Sequence, residues 1–390
     1  MQRRYDVDWM RNIAFLLLIF YHVGMYYVAD WDWHVKSAQQ STLLQDVMIL
    51  TNQWRMSLLF FISGMALSLY CLRRTPSPQS LLRVRSQRLL MPLLLGMLVV
   101  VPPQVYYELL EQQRLSAGYA PFYLAYLQGG DFTWNHLWFL PYLWCYSLLW
   151  IVIEPGLSRL STRLDKTPAW HAYIFVILTT MLIWLALRRH FPTTHDLVND
   201  WYSHAKYLFA FLCGSLLVRL PKIWDGIRRA RWALLISALL AYGVIIAENH
   251  GYPALDETLV QIPWVRFCIG AVLSVNHWGW LLAAVGFSAQ HLNAPSGLLR
   301  YLTPAILPMY VLHQTLIVIF AVWLRDASLS VGWESLIIIM STIGTCLLGY
   351  EIVKRVNLLR WLFGMPVKVM AGQLRPQPPG QRLSSQKPLL

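Results

Sequence analysis

Apolar residues recur in long runs along the whole chain, separated by short polar stretches. Each run is close to the roughly 20 residues that a helix needs to cross a hydrocarbon core. The runs fall at about residues 12 to 28, 53 to 72, 89 to 110, 136 to 155, 170 to 187, 204 to 218, 232 to 247, 265 to 287, 301 to 323 and 333 to 353. The pattern predicts an all-α integral membrane protein of about ten transmembrane helices. Arg3, Arg4 and Arg11 precede the first run as they would in a signal peptide, but the run carries His22 and no small-residue cleavage pattern comes after it. It therefore reads as a retained first helix.

Composition agrees with that reading, since 57% of the residues are hydrophobic and 13% charged, far too little charge for a soluble globule of 390 residues. The formal net charge of +13 does not call for nucleic acid. The basic residues fall between alternate runs, 24 of the 32 on one side, and the positive-inside rule then places both termini in the cytoplasm. Cys71, Cys145, Cys213, Cys268 and Cys346 lie in or at the ends of apolar runs without paired spacing, so they read as lipid-facing or packing residues and say nothing about a disulfide framework. Residues 1–372 read as one membrane domain and 373–390, rich in Pro, Gln and Ser, as a disordered cytoplasmic tail. No repeat, phosphate-cradling glycine loop or Cys/His metal spacing is present. The outward loops carry many Trp, Tyr, His, Asp and Asn residues, which suit a polar ligand such as a sugar and equally line a membrane interface.

Ionisable residues inside a span are costly, and the first helix holds Asp8, Arg11 and His22. Eleven residues bring Arg11 and His22 to nearly the same helix face, about 16 Å apart along the axis. Asp8, three residues before Arg11, can pair with its guanidinium. An imidazole at mid-membrane can take a proton from an acceptor hydroxyl, and an arginine at the mouth can hold an anionic donor. A helix anchored at the headgroups by Arg11 and bonded to a neighbour through His22 would show the same spacing. Spacing does not choose between the two.

The Asp-x-x-Arg start and the Arg-x10-His pattern resemble the first helix of the acyltransferase-3 family of membrane acyltransferases. The resemblance continues in order through WHVKSA at 33 to 38, WRMSLLFFISG at 54 to 64, RVRSQRLLMP at 83 to 92, HLWFLPYL at 136 to 143, YVLHQTLIV at 310 to 318 and YEIVKRVNLLRWLFG at 350 to 364. WHVKSA, the Arg-Met before the Phe-Phe-x-Ile-Ser-Gly and the Tyr-Glu-Ile are most similar to the branch that succinylates osmoregulated periplasmic glucans in Gram-negative bacteria.

The resemblance implies a multi-pass protein of the bacterial inner membrane that moves an acyl group, succinyl or acetyl, from cytoplasmic acyl-CoA to a hydroxyl of an envelope carbohydrate. It implies glucan-assembly proteins as partners, acyl-CoA as cosubstrate, and neither a metal nor a bound cofactor. His22 matches the family's base or acyl-relay histidine and Arg11 its donor-linked arginine. Arg85 and Arg88, beside Arg83, look like its acyl-CoA motif, although a plain positive-inside cluster would read the same way. Arg55, His34, His136 and His313 are candidates for the acceptor or the cavity. Ser63 and Gly64 read as small residues for close helix approach, and Glu351 as a partner of Lys354 or Arg355. One departure stands out: HLWFLPYLW lacks the carboxylate that many members place there, and Asp8 is too far along the helix to orient His22. A transporter is the alternative, because mid-membrane His and Arg also mark substrate pathways, but no internal symmetry supports it. A non-catalytic member of a glucan-assembly complex is a third reading.

Overall fold

A computed structural model describes residues 3–251 and 262–368. The predicted tail at 373–390 lies outside the described residues. Every predicted run is helical: α1 (Tyr5–Tyr27), α3 (Arg55–Arg74), α4 (Pro78–Leu95) with α5 (Pro102–Glu111), α7 (Phe139–Leu164), α8 (Ala169–Leu187), α9 (Trp201–Leu217), α10 (Pro221–Gly251), α11 (Pro263–His291), α12 (Gly297–Leu324) and α13 (Val331–Val353). Two predicted loops hold short helices as well, α2 (Leu43–Asn52) and α6 (Tyr119–Leu127), and α14 (Asn357–Leu362) comes after α13. The chain is thus an all-α, multi-pass membrane protein.

Seven helical stretches among the described residues are long and apolar enough to cross a membrane, or eight if the bent pair α4 and α5 is a single span. The two remaining predicted runs fall short for physical reasons. Arg11, Asn12 and His22 dilute the apolar character of α1, and α9 has 17 residues including Lys206.

The third run is not one straight helix. After Pro92, α4 passes into a π-turn at Gly96–Val100, and the chain bends by 43° into α5 at Pro102. Prolines remove backbone donors, and π-turns change the direction of the next helical segment. The bend swings α5 over one end of the molecule, where Gln104 and Glu108 then sit. At the other end α4 starts well before its apolar run, with Ser77 Oγ accepting from Ser80 N–H (3.3 Å) and Pro78 in the first turn. That end carries Arg73, Arg74, Arg85 and Arg88 and is the basic end of the molecule; the opposite one is the loop end.

Helices α3 and α9 pack through reciprocal glycines. A Cβ on Gly64 would lie 1.9 Å from the Phe211 carbonyl oxygen, and one on Gly214 would lie 2.0 Å from that of Phe61. Such small residues let membrane helices meet backbone to backbone. Helix α1 lies between two apolar clusters: Phe15, Leu18 and Ile19 pack with α7, α12 and α13, whereas Val7, Met10 and Ala14 pack with α3, α10 and α11. Beyond its C-terminus Lys36 Nζ donates to the Met25 and Trp31 carbonyls (2.9 Å each) and to that of Val28, which holds the loop carrying His34. Glu351 is bound as expected by Lys354 and by Arg355 (3.4 Å), and also accepts from Tyr301 Oη (2.7 Å).

Candidate functional site

Two cavities enter the bundle from opposite ends, and α1 lines both. The basic-end cavity, about 550 Å³, is walled by α1, α3, α4, α7 and α12. Among the described residues seven arginines face it, Arg3, Arg4, Arg11, Arg73, Arg74, Arg85 and Arg88, with Asp8 as the one lining carboxylate. Asp8 does not take Arg11 as its partner. It binds Arg3 instead, through Nε (2.9 Å) and Nη2 (2.8 Å), because the chain before α1 folds back over the first turn. Arg11 and Arg88 have no carboxylate within ion-pair distance among the described residues. Arg85 Nε donates to Ser147 Oγ (3.0 Å), while its buried Nη2 has no hydrogen-bond partner among the described residues. Arg83, two residues away, lies outside the cavity lining, since its position turns it from the face that Arg85 and Arg88 share.

The loop-end cavity is about 820 Å³ and takes in His22, His34, Arg55 and His136 from the sequence candidates. His313 is fully buried behind His22. Its Nδ1 lies 2.7 Å from the Tyr310 carbonyl and its Nε2 lies 3.2 Å from His22 Nδ1. A carbonyl only accepts, so Nδ1 of His313 carries the proton and its Nε2 is the acceptor for the His22 Nδ1–H. That assignment leaves His22 Nε2 as a lone pair with no protein partner among the described residues, in a side chain that lines the cavity. The group that orients His22 is therefore a histidine and not a carboxylate.

The other two imidazoles are fully engaged. His136 Nε2 donates to the Val311 carbonyl (3.1 Å) and its Nδ1 accepts from Gln104 Nε2 (3.2 Å). His34 Nδ1 donates to Glu108 Oε2 (2.5 Å), and its Nε2 accepts from Gln314 Nε2 (2.8 Å). Gln314 Nε2 also lies within reach of Asn135 Oδ1 (3.0 Å) and Gln104 Oε1 (3.2 Å). Glu108, Gln104, Gln314 and Asn135 were absent from the sequence candidates. The available signal was a glutamate inside the apolar run at 89 to 110, and a glutamine directly after His313.

Leu18 and Tyr310 line both cavities. Tyr310 Oη donates to the His136 carbonyl (2.6 Å), which fixes its ring between the two spaces. Arg11, Phe15, Leu18 and His22 thus succeed one another along one face of α1: cation, apolar step, apolar step, base.

In the loop between α8 and α9, His195 stacks on Trp138 with ring centres 3.8 Å apart. Burial lowers the pKa of its imidazole against the opposing pull of the Asp200 and Asp196 carboxylates. At neutral pH it adds no charge to the cavity it lines.

The family described as "Acyltransferase domain" matches this chain over residues 4–351. Two relatives, each named glucans biosynthesis protein C, come from Escherichia coli (strain K12) and Escherichia coli O9:H4 (strain HS). Each is 26% identical to the chain over 381 residues, spanning 94% of it and 96% of the relative. No solved structure matches.

Proposed function

The chain belongs to the acyltransferase-3 family and is an acyltransferase, and on that premise we propose that it moves an acyl group from cytoplasmic acyl-CoA to a hydroxyl of a periplasmic glucan. The observation that carries the reading is the division of α1 between two cavities, with guanidinium groups around one and a histidine with a free ring nitrogen in the other. Coenzyme A bears several phosphate charges, and Arg11, Arg85 and Arg88 offer the bidentate donors that phosphate takes best. The basic end would then face the cytoplasm of a bacterial inner membrane, in line with the positive-inside rule. The glucan acceptor rests on the relatives' names and on the aromatic and amide lining of the loop-end cavity.

In the proposed step the hydroxyl oxygen attacks the thioester carbonyl while His22 Nε2 takes its proton. The C–S bond breaks, and the thiolate of coenzyme A leaves with that proton, giving a sugar ester and free thiol. His313 holds His22 in the tautomer this requires. Because Leu18 and Tyr310 stand between donor and acceptor spaces, a relay is the variant where the two substrates do not meet: His22 Nε2 displaces coenzyme A, whose thiol leaves with the proton given up from His22 Nδ1, and the sugar hydroxyl then displaces the imidazole from the acyl carbon and returns its own proton to Nδ1.

The test is mass spectrometry of envelope carbohydrates from a deletion strain complemented with wild type or with His22→Ala, at equal membrane expression. A mass gain of one acyl group that appears with wild type and is lost with His22→Ala is the expected result. No change of mass in any carbohydrate in either strain would remove the acceptor assignment.

A further inference from the structure

Three cations of the loop-end cavity are not used by the acyl-transfer step: Arg55, Arg188 and Lys206. None has a carboxylate within ion-pair distance among the described residues. Of the described acidic residues nearby, Glu108 is taken by His34 and Asp200 by Tyr142 Oη (2.6 Å), which leaves Asp196 as the one described carboxylate on the lining.

Aromatic faces hold the cations instead. Arg55 Cζ lies 3.0 Å from the centre of the Tyr21 ring, and the guanidinium makes one long bond to Asn52 Oδ1 (3.4 Å). Lys206 Nζ lies 5.5 Å from the Tyr207 ring and 6.0 Å from that of Tyr202, and Arg188 Cζ lies 5.6 Å from the same Tyr202 ring. A cation over an aromatic face is partly stabilised while its N–H donors stay available. The buried Nε of Arg55 has no hydrogen-bond partner among the described residues. Arg55 and Lys206 are half-buried and Arg188 lies at the rim, and cations that converge on one cavity without a paired counter-charge repel one another unless an anion joins them.

We propose that Arg55, Lys206 and Arg188 form an oxyanion site in the loop-end cavity, which takes a carboxylate borne either by the acyl group or by the acceptor. The inference rests on the acyl-transfer reading for its biological sense, though not for its binding chemistry. Proximity to the base favours the acyl group: the Tyr21 ring under Arg55 lies 6.0 Å from the His22 ring, so a carboxylate held by Arg55 sits a short chain away from His22 Nε2. The site then acts in specificity, favouring a dicarboxylic acyl chain over a monocarboxylic chain of equal length.

The test uses the full-length protein in detergent, with Lys206→Met, Arg188→Gln and the conservative Lys206→Arg. Binding is read first, as the thermal shift given by monomethyl succinate against methyl butyrate. Wild type and Lys206→Arg are expected to be stabilised by the charged ester only, and Lys206→Met and Arg188→Gln to lose that shift. Transfer is read next, with succinyl-CoA against butyryl-CoA onto a neutral oligoglucan, and onto one carrying carboxylates. Loss of a charge-assisted hydrogen bond predicts about a tenfold fall in the succinyl-to-butyryl ratio for each charge-removing variant. An unchanged donor ratio with a selective loss against the carboxylated glucan would support the same site with the anion on the acceptor. Charged-ester binding without transfer from any donor would keep the site and remove the transfer reading. Equal shifts for both esters, or equal shifts in wild type and both charge-removing variants, would overturn the site. Arg188 lies at the exposed rim, so Arg188→Gln keeps the test open if Lys206→Met fails to fold.

Discussion

At the scale of single residues the site turns on which nitrogen of each imidazole carries the proton. His313 donates to a helix carbonyl and so can only accept from His22, which keeps the free lone pair on His22 Nε2. Removing His22 is expected to lower kcat about 10²- to 10⁴-fold, the usual worth of a positioned base. His313 never touches substrate in this scheme and acts by positioning. Its side chain can be replaced by one that still accepts from His22 Nδ1. His313→Gln is therefore expected to keep more of kcat than His313→Ala, with the KM for acyl-CoA the same in both, as measured by initial rates at matched expression. Equal rates for the two variants would remove the tautomer argument. The sequence showed His22 and His313 as ionisable residues inside apolar runs, but their pairing joins residues 291 positions apart and no local spacing carries it. That the partner of His22 is a histidine and not a carboxylate was out of reach of sequence reasoning for the same reason, and Asp8, which the spacing pairs with Arg11, is captured by Arg3.

At the scale of helices, two features place these residues, and each was only partly visible beforehand. Long apolar runs gave the helices correctly, because twenty apolar residues have one low-energy form in a bilayer. The break between α4 and α5 was missed although Pro102 and Pro103 marked it, since hydropathy averages over a bend. That bend delivers Glu108 to His34, and Glu108→Ala leaves the His34 Nδ1–H without its acceptor. A rise of several-fold in KM for the glucan, with the acyl-CoA KM unmoved, is the expected effect in steady-state kinetics, and Glu108→Gln should recover most of it. The second feature is the meeting of α3 and α9 at Gly64 and Gly214, read in advance for Gly64 and confirmed by its approach to the Phe211 carbonyl. A methyl group there meets backbone, which cannot rotate away, so α3 and α9 must separate. Gly64→Ala is expected to destabilise by about 1 to 3 kcal/mol, seen as a lower melting temperature in detergent, and Gly156→Ala, which meets nothing within 4 Å, serves as the control.

At the scale of the whole molecule, the 11-residue step from Arg11 to His22 is the dimension around which the two cavities are arranged. That separation was legible, because it depends only on helix geometry. The cavities were not, because their walls come from five or more helices brought together by packing. Leu18 and Tyr310 line both, so an acyl group that crosses from the cavity of the arginines into that of His22 where the two adjoin passes these two side chains. Tyr310 is pinned by its bond to the His136 carbonyl, whereas Leu18 is held by apolar packing alone, so Leu18 is the side of the constriction that can be altered without breaking a hydrogen bond. Leu18→Trp adds bulk where the two cavities adjoin while leaving Arg11, Arg85 and Arg88 in place. Donor binding, measured by competition with free coenzyme A, should stay within about twofold of wild type, and transfer to glucan should fall by at least about tenfold. Leu18→Ala removes the bulk and should admit water to the thioester, raising acyl-CoA hydrolysis in the absence of glucan. Both results together place the route of the acyl group between the cavities; loss of donor binding in Leu18→Trp would instead make Leu18 part of the donor site and leave the route to be sought along another face of α1.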